Sequence, residues 1–380
     1  MNAPLPQAVA LAAGADTSRL FQPGRIGDIA VANRVVMAPL TRSRADEPRG
    51  DIPGSEMNVE YYRQRSNAGL IISEGTQVAP AGKGYMATPG IYSDAQVDGW
   101  RRITDAVHAA GSKIVAQLWH VGRITHPALN GGFQPLAPSA VAPQGVVAYT
   151  HQGKVEVPVP QALSEAEIAE VVEQFRRGAA NAMRAGFDGV EIHGANGYLI
   201  QQFLSDNSNQ RTDQYGGSHE NRVRFAVEVA TAVSTAIGAD RVGIRFSPGG
   251  KFHDMNESDP EGLYTTLLNA LNPLGLAYLH ILETASDDVN DRIREIWTGP
   301  LIVNPAIVGS ADFVDKANAD RWLARGGDLI AFGRYFISNP DLVRRLRDGL
   351  ELTMPDLDTF YSGGDKGYID YPEWSDSAVG

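Results

Sequence analysis

Apolar residues recur along the chain in short continuous runs rather than in strict alternation. Eight runs of four to six residues stand out, at 35–38, 70–73, 113–118, 189–193, 242–246, 278–282, 301–304 and 329–333. A strand covered on both faces reads this way, as parallel strands do. Between most of them lie stretches with apolar residues at helical spacing. In 94–110 the residues Val97, Trp100, Ile103 and Val107 share one face. The stretch 164–185 opens with Ser164 and Glu167, the spacing of a capping box. Further helices are expected at 220–237, 260–271, 317–325 and 339–346. Strand and helix alternating eight times predicts a closed (β/α)8 TIM barrel. An open doubly wound sheet is disfavoured, because Pro39-Leu40-Thr41-Arg42 after the first run is no Gly-rich phosphate turn.

One interval breaks the rhythm. Residues 120–162 are rich in Gly, Pro and Val, and predict a long excursion with an inserted β-hairpin, 145–150 against 154–159, over the barrel mouth. Long loops of this kind usually serve binding. Residues 1–18 read as a loose N-terminal leader, and 19–380 as a single barrel domain.

Composition narrows the function. The 380 residues include no cysteine, which excludes disulfides, thiolate metal sites, iron–sulfur clusters and a Cys nucleophile. The net charge of −12 disfavours nucleic acid and anionic lipid as partners. No apolar run approaches the roughly 18 residues of a membrane span. The leader has no Lys or Arg before Arg19, so a secretory signal is not expected and the cytoplasm is the default compartment.

Barrel enzymes carry their reactive groups where strands end. Here those ends hold Thr41, Gln117, Trp119, His193, Asn196, Tyr198, Arg245 and Arg334. There is no carboxylate pair for glycoside hydrolysis, no His/Asp/Glu cluster for a metal, no G-x-S-x-G elbow and no strand-end Lys. Two arginines with neutral donors and aromatics suit an anionic, planar, hydrogen-bonding cofactor. Arg334 follows the eighth run, where barrels commonly seat a phosphate.

Three stretches resemble the old yellow enzyme family of flavin-dependent ene reductases: VMAPLTRSR at 36–44, HGANGYLIQQFLSDNSNQRTDQYGGSHENRVR at 193–224 and FGRYFISNPDL at 332–342. The tail TFYSGGDKGYIDYPEW at 359–374 matches as well, so the resemblance runs from about residue 20 to residue 374. Within the family the chain is similar to the bacterial, single-domain, xenobiotic-reductase-like branch. The resemblance implies noncovalent FMN, reduced by NADPH or NADH, and small-molecule oxidants: enones, nitro compounds, nitrate esters or quinones.

The same resemblance assigns roles to residues. Pro39 and Thr41 belong to the cofactor site, with Thr41 on the flavin O4/N5 edge. Gln117 addresses the pyrimidine edge, and Arg245 sits near N1 and O2. Gly333 and Arg334 hold the phosphate, and Gly75 lets backbone approach the ring. His193 and Asn196 donate to the substrate oxygen, where many relatives have His in place of Asn196, and Tyr198 is the proton donor. Tyr85, Trp119 and Tyr361 line the substrate pocket. Arg211, Tyr215 and Asn221 are expected to fix the loop after the fourth strand.

The chain departs from the family after the seventh strand. The Gly-rich turn that usually helps hold the phosphate is replaced by Pro305-Ala306-Ile307-Val308-Gly309, and about six residues are added before Phe332. Proline has no N–H to offer an anion. Tighter roles for Arg334 and weaker FMN binding follow as expectations. The alternative to an enzyme is an FMN-binding redox sensor or carrier, against which the proton donor Tyr198 weighs. The related 2,4-dienoyl-CoA reductase type needs cysteines that are absent. The resemblance leaves monomer and homodimer both open.

Overall fold

The computed structural model describes residues 19–305 and 313–375. The leader and the 306–312 part of the Pro305 turn lie outside the described residues. Eight strands form the barrel: Val35–Met37, Leu70–Ile72, Ile114–Trp119, Gly189–His193, Val242–Phe246, Tyr278–Leu282, Leu301–Asn304 and Leu329–Phe332. All eight agree with the expected runs to within one residue. Each pairs in parallel with the next, and the eighth returns to the first through Phe332 and Met37. The registers that matter for the site are Glu191 with Gln117, His193 with Arg245, Arg245 with His280, and Leu282 with Asn304.

Alternation along the strands divides the apolar residues into two layers. Val35, Met37, Ile71 and Ile114 face outward into a core shared with the helices, including Trp100, Ile103 and Val107. Val36, Leu70, Ile72, Val115, Ile302 and Leu329 fill the barrel floor. A hairpin before the first strand, Gly24–Ile26 with Ile29–Val31, contributes Ile26, Ile29 and Val31 to that floor.

The helices in chain order are α1 (Glu56–Gln64), α2 (Asp94–Ala109), α3 (Glu165–Arg184), α4 (Leu199–Leu204), α5 (His219–Ile237), α6 (Pro260–Leu271), α7 (Asp287–Ile296), α8 (Lys316–Ala324), α9 (Arg334–Ser338) and α10 (Leu342–Asp348). Among the described residues no helix is long and apolar enough to cross a membrane. Helices α1, α4, α7 and α9 were not expected from the apolar pattern. Only Asn290 and Ile293 of α7 are buried, too thin a stripe to read. In α1 the buried face is Asn58, Tyr61 and Tyr62, which polar neighbours disguise. The expected 339–346 helix starts later, at Leu342. Pro340 disfavours helical backbone at Asn339, whose side chain instead donates to the carbonyls of Tyr335 and Thr353.

The excursion contains the hairpin, but shorter than expected: Val147–Thr150 against Gly153–Glu156. Pro158 and Pro160 lack the N–H groups that would extend it. Gln161–Ala162 then pairs in parallel with Leu136–Ala137.

Candidate active site

Above the apolar floor the barrel interior turns polar around Glu191, which is fully buried. Gln117 Nε2 donates to its Oε1 at 2.9 Å. His280 Nδ1 at 2.8 Å and the Tyr278 hydroxyl at 3.2 Å donate to its Oε2. Burial opposes the charge of Glu191, yet His280 and Arg245 hold its carboxyl below the ordinary range. Tyr278 reaches this carboxylate by passing over Gly243, where an added Cβ would lie 2.1 Å from the tyrosine ring.

Arg245 stands next to this network with one side-chain partner: Nη2 donates to Asn304 Oδ1 at 3.0 Å. Its Nε and Nη1 are buried without a hydrogen-bond partner. A buried guanidinium with unused donors is costly unless something accepts from it, so the donor set fits an anionic, acceptor-rich group such as a flavin pyrimidine edge.

The wall of the mouth is aromatic. Trp119 ends the third strand and stacks on Tyr85, with centroids 5.6 Å apart and planes 15° apart. Tyr198 meets Trp119 edge-on at 4.9 Å and His193 at 5.2 Å. Gly75 lies beneath the indole; a Cβ there would come 2.5 Å from Trp119 Cε3. The room at Gly75 is therefore used by Trp119, a reason the sequence did not suggest. Val146 of the excursion packs against the Trp119–Tyr198 cluster, which brings that long loop to the mouth.

His193 ends the fourth strand, nearly fully buried. The Ala195 N–H donates to its Nδ1 at 3.4 Å, so the proton is assigned to Nε2. Burial, reinforced by the Arg245 charge, pushes His193 down to about 3, and the ring is a neutral donor at physiological pH. Three residues on, Asn196 adopts a left-handed φ of 59° that is uncommon outside glycine. Its N–H donates to Ser247 Oγ at 2.9 Å, and its carbonyl accepts from His253 Nδ1 at 2.7 Å. The hydroxyls of Tyr198 and Tyr85 lie 3.0 Å apart. Burial pushes Tyr85 up to about 12 and Tyr198 well above the ordinary phenol range.

Pro39 and Thr41 follow the first strand, half-buried, and Gly333 and Arg334 follow the eighth, also half-buried where α9 begins. Tyr361 remains on the rim, 65% exposed, in a segment pinned from below. Arg42 Nε donates to the Phe360 carbonyl at 3.1 Å and Arg44 Nη2 to that of Thr359 at 2.9 Å. Arg211, Tyr215 and Asn221 do hold the loop after the fourth strand: Arg211 donates to the Pro138 carbonyl, Tyr215 to Glu228 and Asn221 to the Gly216 carbonyl.

Sequence reasoning missed Glu191, Tyr278, His280, Asn304 and His253. Glu191 lies two residues before His193 on the same strand face, so counting back by two would have found it. His253 lies in a loop with no periodicity to announce it.

Residues 19–353 match the model of the NADH:flavin oxidoreductase / NADH oxidase family. The chain belongs to this family. Among its curated members it is 44% identical to flavin oxidoreductase hxnT of Emericella nidulans, over 93% of this chain and 97% of that one. It is 40% identical to 12-oxophytodienoate reductase 1 of Oryza sativa subsp. japonica, over 96% of both. Among solved structures, morphinone reductase in complex with tetrahydroNAD superposes with a TM-score of 0.88 at 43% identity, over 94% of this chain and 98% of that one. The old yellow enzyme homologue from Zymomonas mobilis superposes equally, at 40% identity. Membership in this flavin oxidoreductase family makes the chain an oxidoreductase.

Proposed function

We propose that the chain is an FMN-dependent ene reductase that takes its electrons from NADH or NADPH and saturates the activated C=C bond of α,β-unsaturated carbonyl or nitro compounds. The observation that carries this reading is the juxtaposition of a buried, under-partnered Arg245 with a neutral His193 and the Tyr198 hydroxyl in one aromatic mouth. When bound, FMN would supply hydride chemistry driven by the nicotinamide. Arg245 holds the pyrimidine edge through Nε and Nη1. Gln117, its Nε2 committed to Glu191, offers Oε1 to a ring N–H. Thr41, beside Pro39, addresses the opposite ring edge, and Arg334 with the Gly333 backbone takes the phosphate.

His193 Nε2 and the Asn196 amide donate to the substrate oxygen and stabilise the charge that develops there; in other enzymes one such donor is worth about 2.7–4 kcal/mol. A neutral His193 serves this role better than a charged one, because it gives up no proton to the oxygen. Tyr198 delivers a proton to the α carbon. The walls of Trp119, Tyr85 and the rim residue Tyr361 select flat substrates. Nitrate esters and quinones fit the same site as acceptors.

Half-reaction kinetics test the reading. The purified protein should be yellow, and NADH or NADPH should bleach it anaerobically. In Tyr198→Phe, bleaching should stay near the parent rate while 2-cyclohexenone reduction slows by about 10²–10⁴-fold, the usual worth of a general acid. A quinone, which needs no carbon protonated, should be spared. Equal slowing with both acceptors would leave Tyr198 as a wall only.

A further inference from the structure

We propose that His253 is the solvent end of a proton relay, His253 to Tyr85 to Tyr198, that restores the proton Tyr198 gives to the substrate carbon; this rests on the reading of Tyr198 as the acid. Three contacts lie in sequence. The Tyr198 and Tyr85 hydroxyls are 3.0 Å apart, and Tyr85 Oη is 3.5 Å from His253 Nε2. His253 Nδ1 is 2.7 Å from the Asn196 carbonyl, which can only accept. The Nδ1 nitrogen therefore carries the proton, and Nε2 turns a lone pair, or in the imidazolium a second N–H, toward Tyr85. The relay also runs from wet to dry: Phe252 beside His253 is 43% exposed, His253 is half-buried, and Tyr198 is 9% exposed.

The loop that carries His253 is held there against its own backbone preference. His253 and Asp254 have φ of 53° and 62°, left-handed values that non-glycine residues adopt uncommonly. The strain is over-determined by bonds around it. Arg123 Nη2 at 3.2 Å and Asn207 Nδ2 at 2.7 Å both donate to the Asp254 carbonyl. Gly197 makes the room: a Cβ there would fall 2.5 Å from the Phe252 carbonyl oxygen and 2.9 Å from His253 Cβ.

A relay answers a difficulty in the mouth. Burial disfavours a phenolate on either tyrosine. If Tyr198 simply lost its proton, a buried anion would remain under the product. With the relay, the Tyr198 O–H bond breaks as the carbon–hydrogen bond forms. The Tyr85 proton moves to Tyr198, and the His253 Nε2 proton moves to Tyr85. Both tyrosines end neutral, and the imidazolium becomes a neutral imidazole that takes its next proton from water. One solvent proton is consumed for each hydride delivered.

The groups facing His253 are Tyr85, Tyr198, the Asn196 carbonyl, Arg123 with its Asp254 partner, His193, and the adjoining Lys251. Burial and then the Arg123 charge lower its proton affinity, while the Asn196 carbonyl raises it. The enone step should therefore quicken as pH falls toward and below the ordinary histidine range.

The test uses FMN-loaded enzyme, reduced anaerobically and mixed with 2-cyclohexenone across pH, each rate taken relative to ferricyanide oxidation of the same sample. His253→Asn keeps an N–H for the Asn196 carbonyl but has no titrating nitrogen; Tyr85→Phe keeps the ring on Trp119. Each should lower the relative enone rate about tenfold, part of the roughly 10²–10⁴-fold that a general acid supplies. The double variant should be no slower than the slower single one, and His253→Asn should lose the acid-side rise. In the 15N-histidine-labelled protein, the His253 Nε2 resonance should move in Tyr85→Phe, a readout independent of turnover and usable if His253→Asn does not fold. Additive losses, an unchanged pH profile in His253→Asn, or an unmoved resonance would each overturn the relay. If Tyr198→Phe itself leaves the enone step intact, the acid assignment fails first. If Tyr198→Phe is slow while both relay variants match the parent, the relay alone is wrong.

Discussion

Gly75 acts on the mouth through size, and the role proposed for Arg334 rests on charge. Gly75 has no side chain to offer, yet a single methyl group there would overlap Trp119 at 2.5 Å, and Trp119 in turn supports Tyr85 and Tyr198. Gly75→Ala should therefore push the indole into the pocket, lowering stability by about 1–3 kcal/mol as overpacking does. Binding of a phenolic ligand should weaken at the same time. Thermal denaturation and a ligand titration check both effects; a stable variant with unchanged binding would mean that the indole yields freely. In the proposed phosphate role, Arg334 acts by charge. Its bond to a phosphate would be charge-assisted and so stronger than a neutral one. Arg334→Ala should purify pale and regain colour with added FMN, and absorbance after gel filtration reads the retained cofactor. Full retention with parent affinity would place the phosphate elsewhere.

At the level of elements, the barrel helices are set by local chemistry that is independent of the site. In α3, Ser164 Oγ accepts from the Glu167 N–H at 3.3 Å, and Glu167 Oε2 accepts from the Ser164 N–H at 2.8 Å. Ser164→Ala should cost about 1 kcal/mol, the usual worth of an N-cap. Urea denaturation should show this loss, with FMN content and both half-reactions unaltered. Loops depend on longer-range anchors. The 359–368 segment carrying Tyr361 is bound through its backbone carbonyls by Arg42, Arg44 and Arg65, whose sequence positions are about 300 residues away. The sequence showed the segment as a family match; Arg42 and Arg44 lie in the 36–44 stretch quoted for the same resemblance, whereas Arg65 lies in none of the quoted stretches.

For the molecule as a whole, one buried carboxyl sets a pH response. Glu74, after the second strand, is raised by burial from 4.5 to about 7, despite the Arg42 N–H and the Tyr62 hydroxyl that bond it. The folded protein therefore holds this proton more tightly than the unfolded chain. The stability it contributes is complete below about pH 4.5 and is lost as pH rises through about 7. At about 1.4 kcal/mol per tenfold in proton affinity, the loss is about 3 kcal/mol. Glu74→Gln removes this term. The stability of the variant relative to the parent should rise by about that amount between about pH 4.5 and pH 8. Denaturant titrations at the two ends measure it, and a pH-independent difference would show that Glu74 is already ionised in the fold.

Strand positions and most helices were legible in the sequence because a buried parallel strand imposes continuous apolarity, and a helix on its flank imposes a period of 3.6. That His193, Tyr198 and Arg245 would share one mouth was legible as well, since closing the barrel brings every strand end together. The thin-striped α7 and the tyrosine-faced α1 were not, because their burial comes from neighbours distant in the chain. Nor was the partnership of Glu191 with Gln117, Tyr278 and His280, drawn from three strands, or the approach of His253 to Tyr85 across 168 residues. Periodicity records which face of an element is buried, whereas hydrogen bonds between elements depend on register and loop path, and only the folded chain determines those.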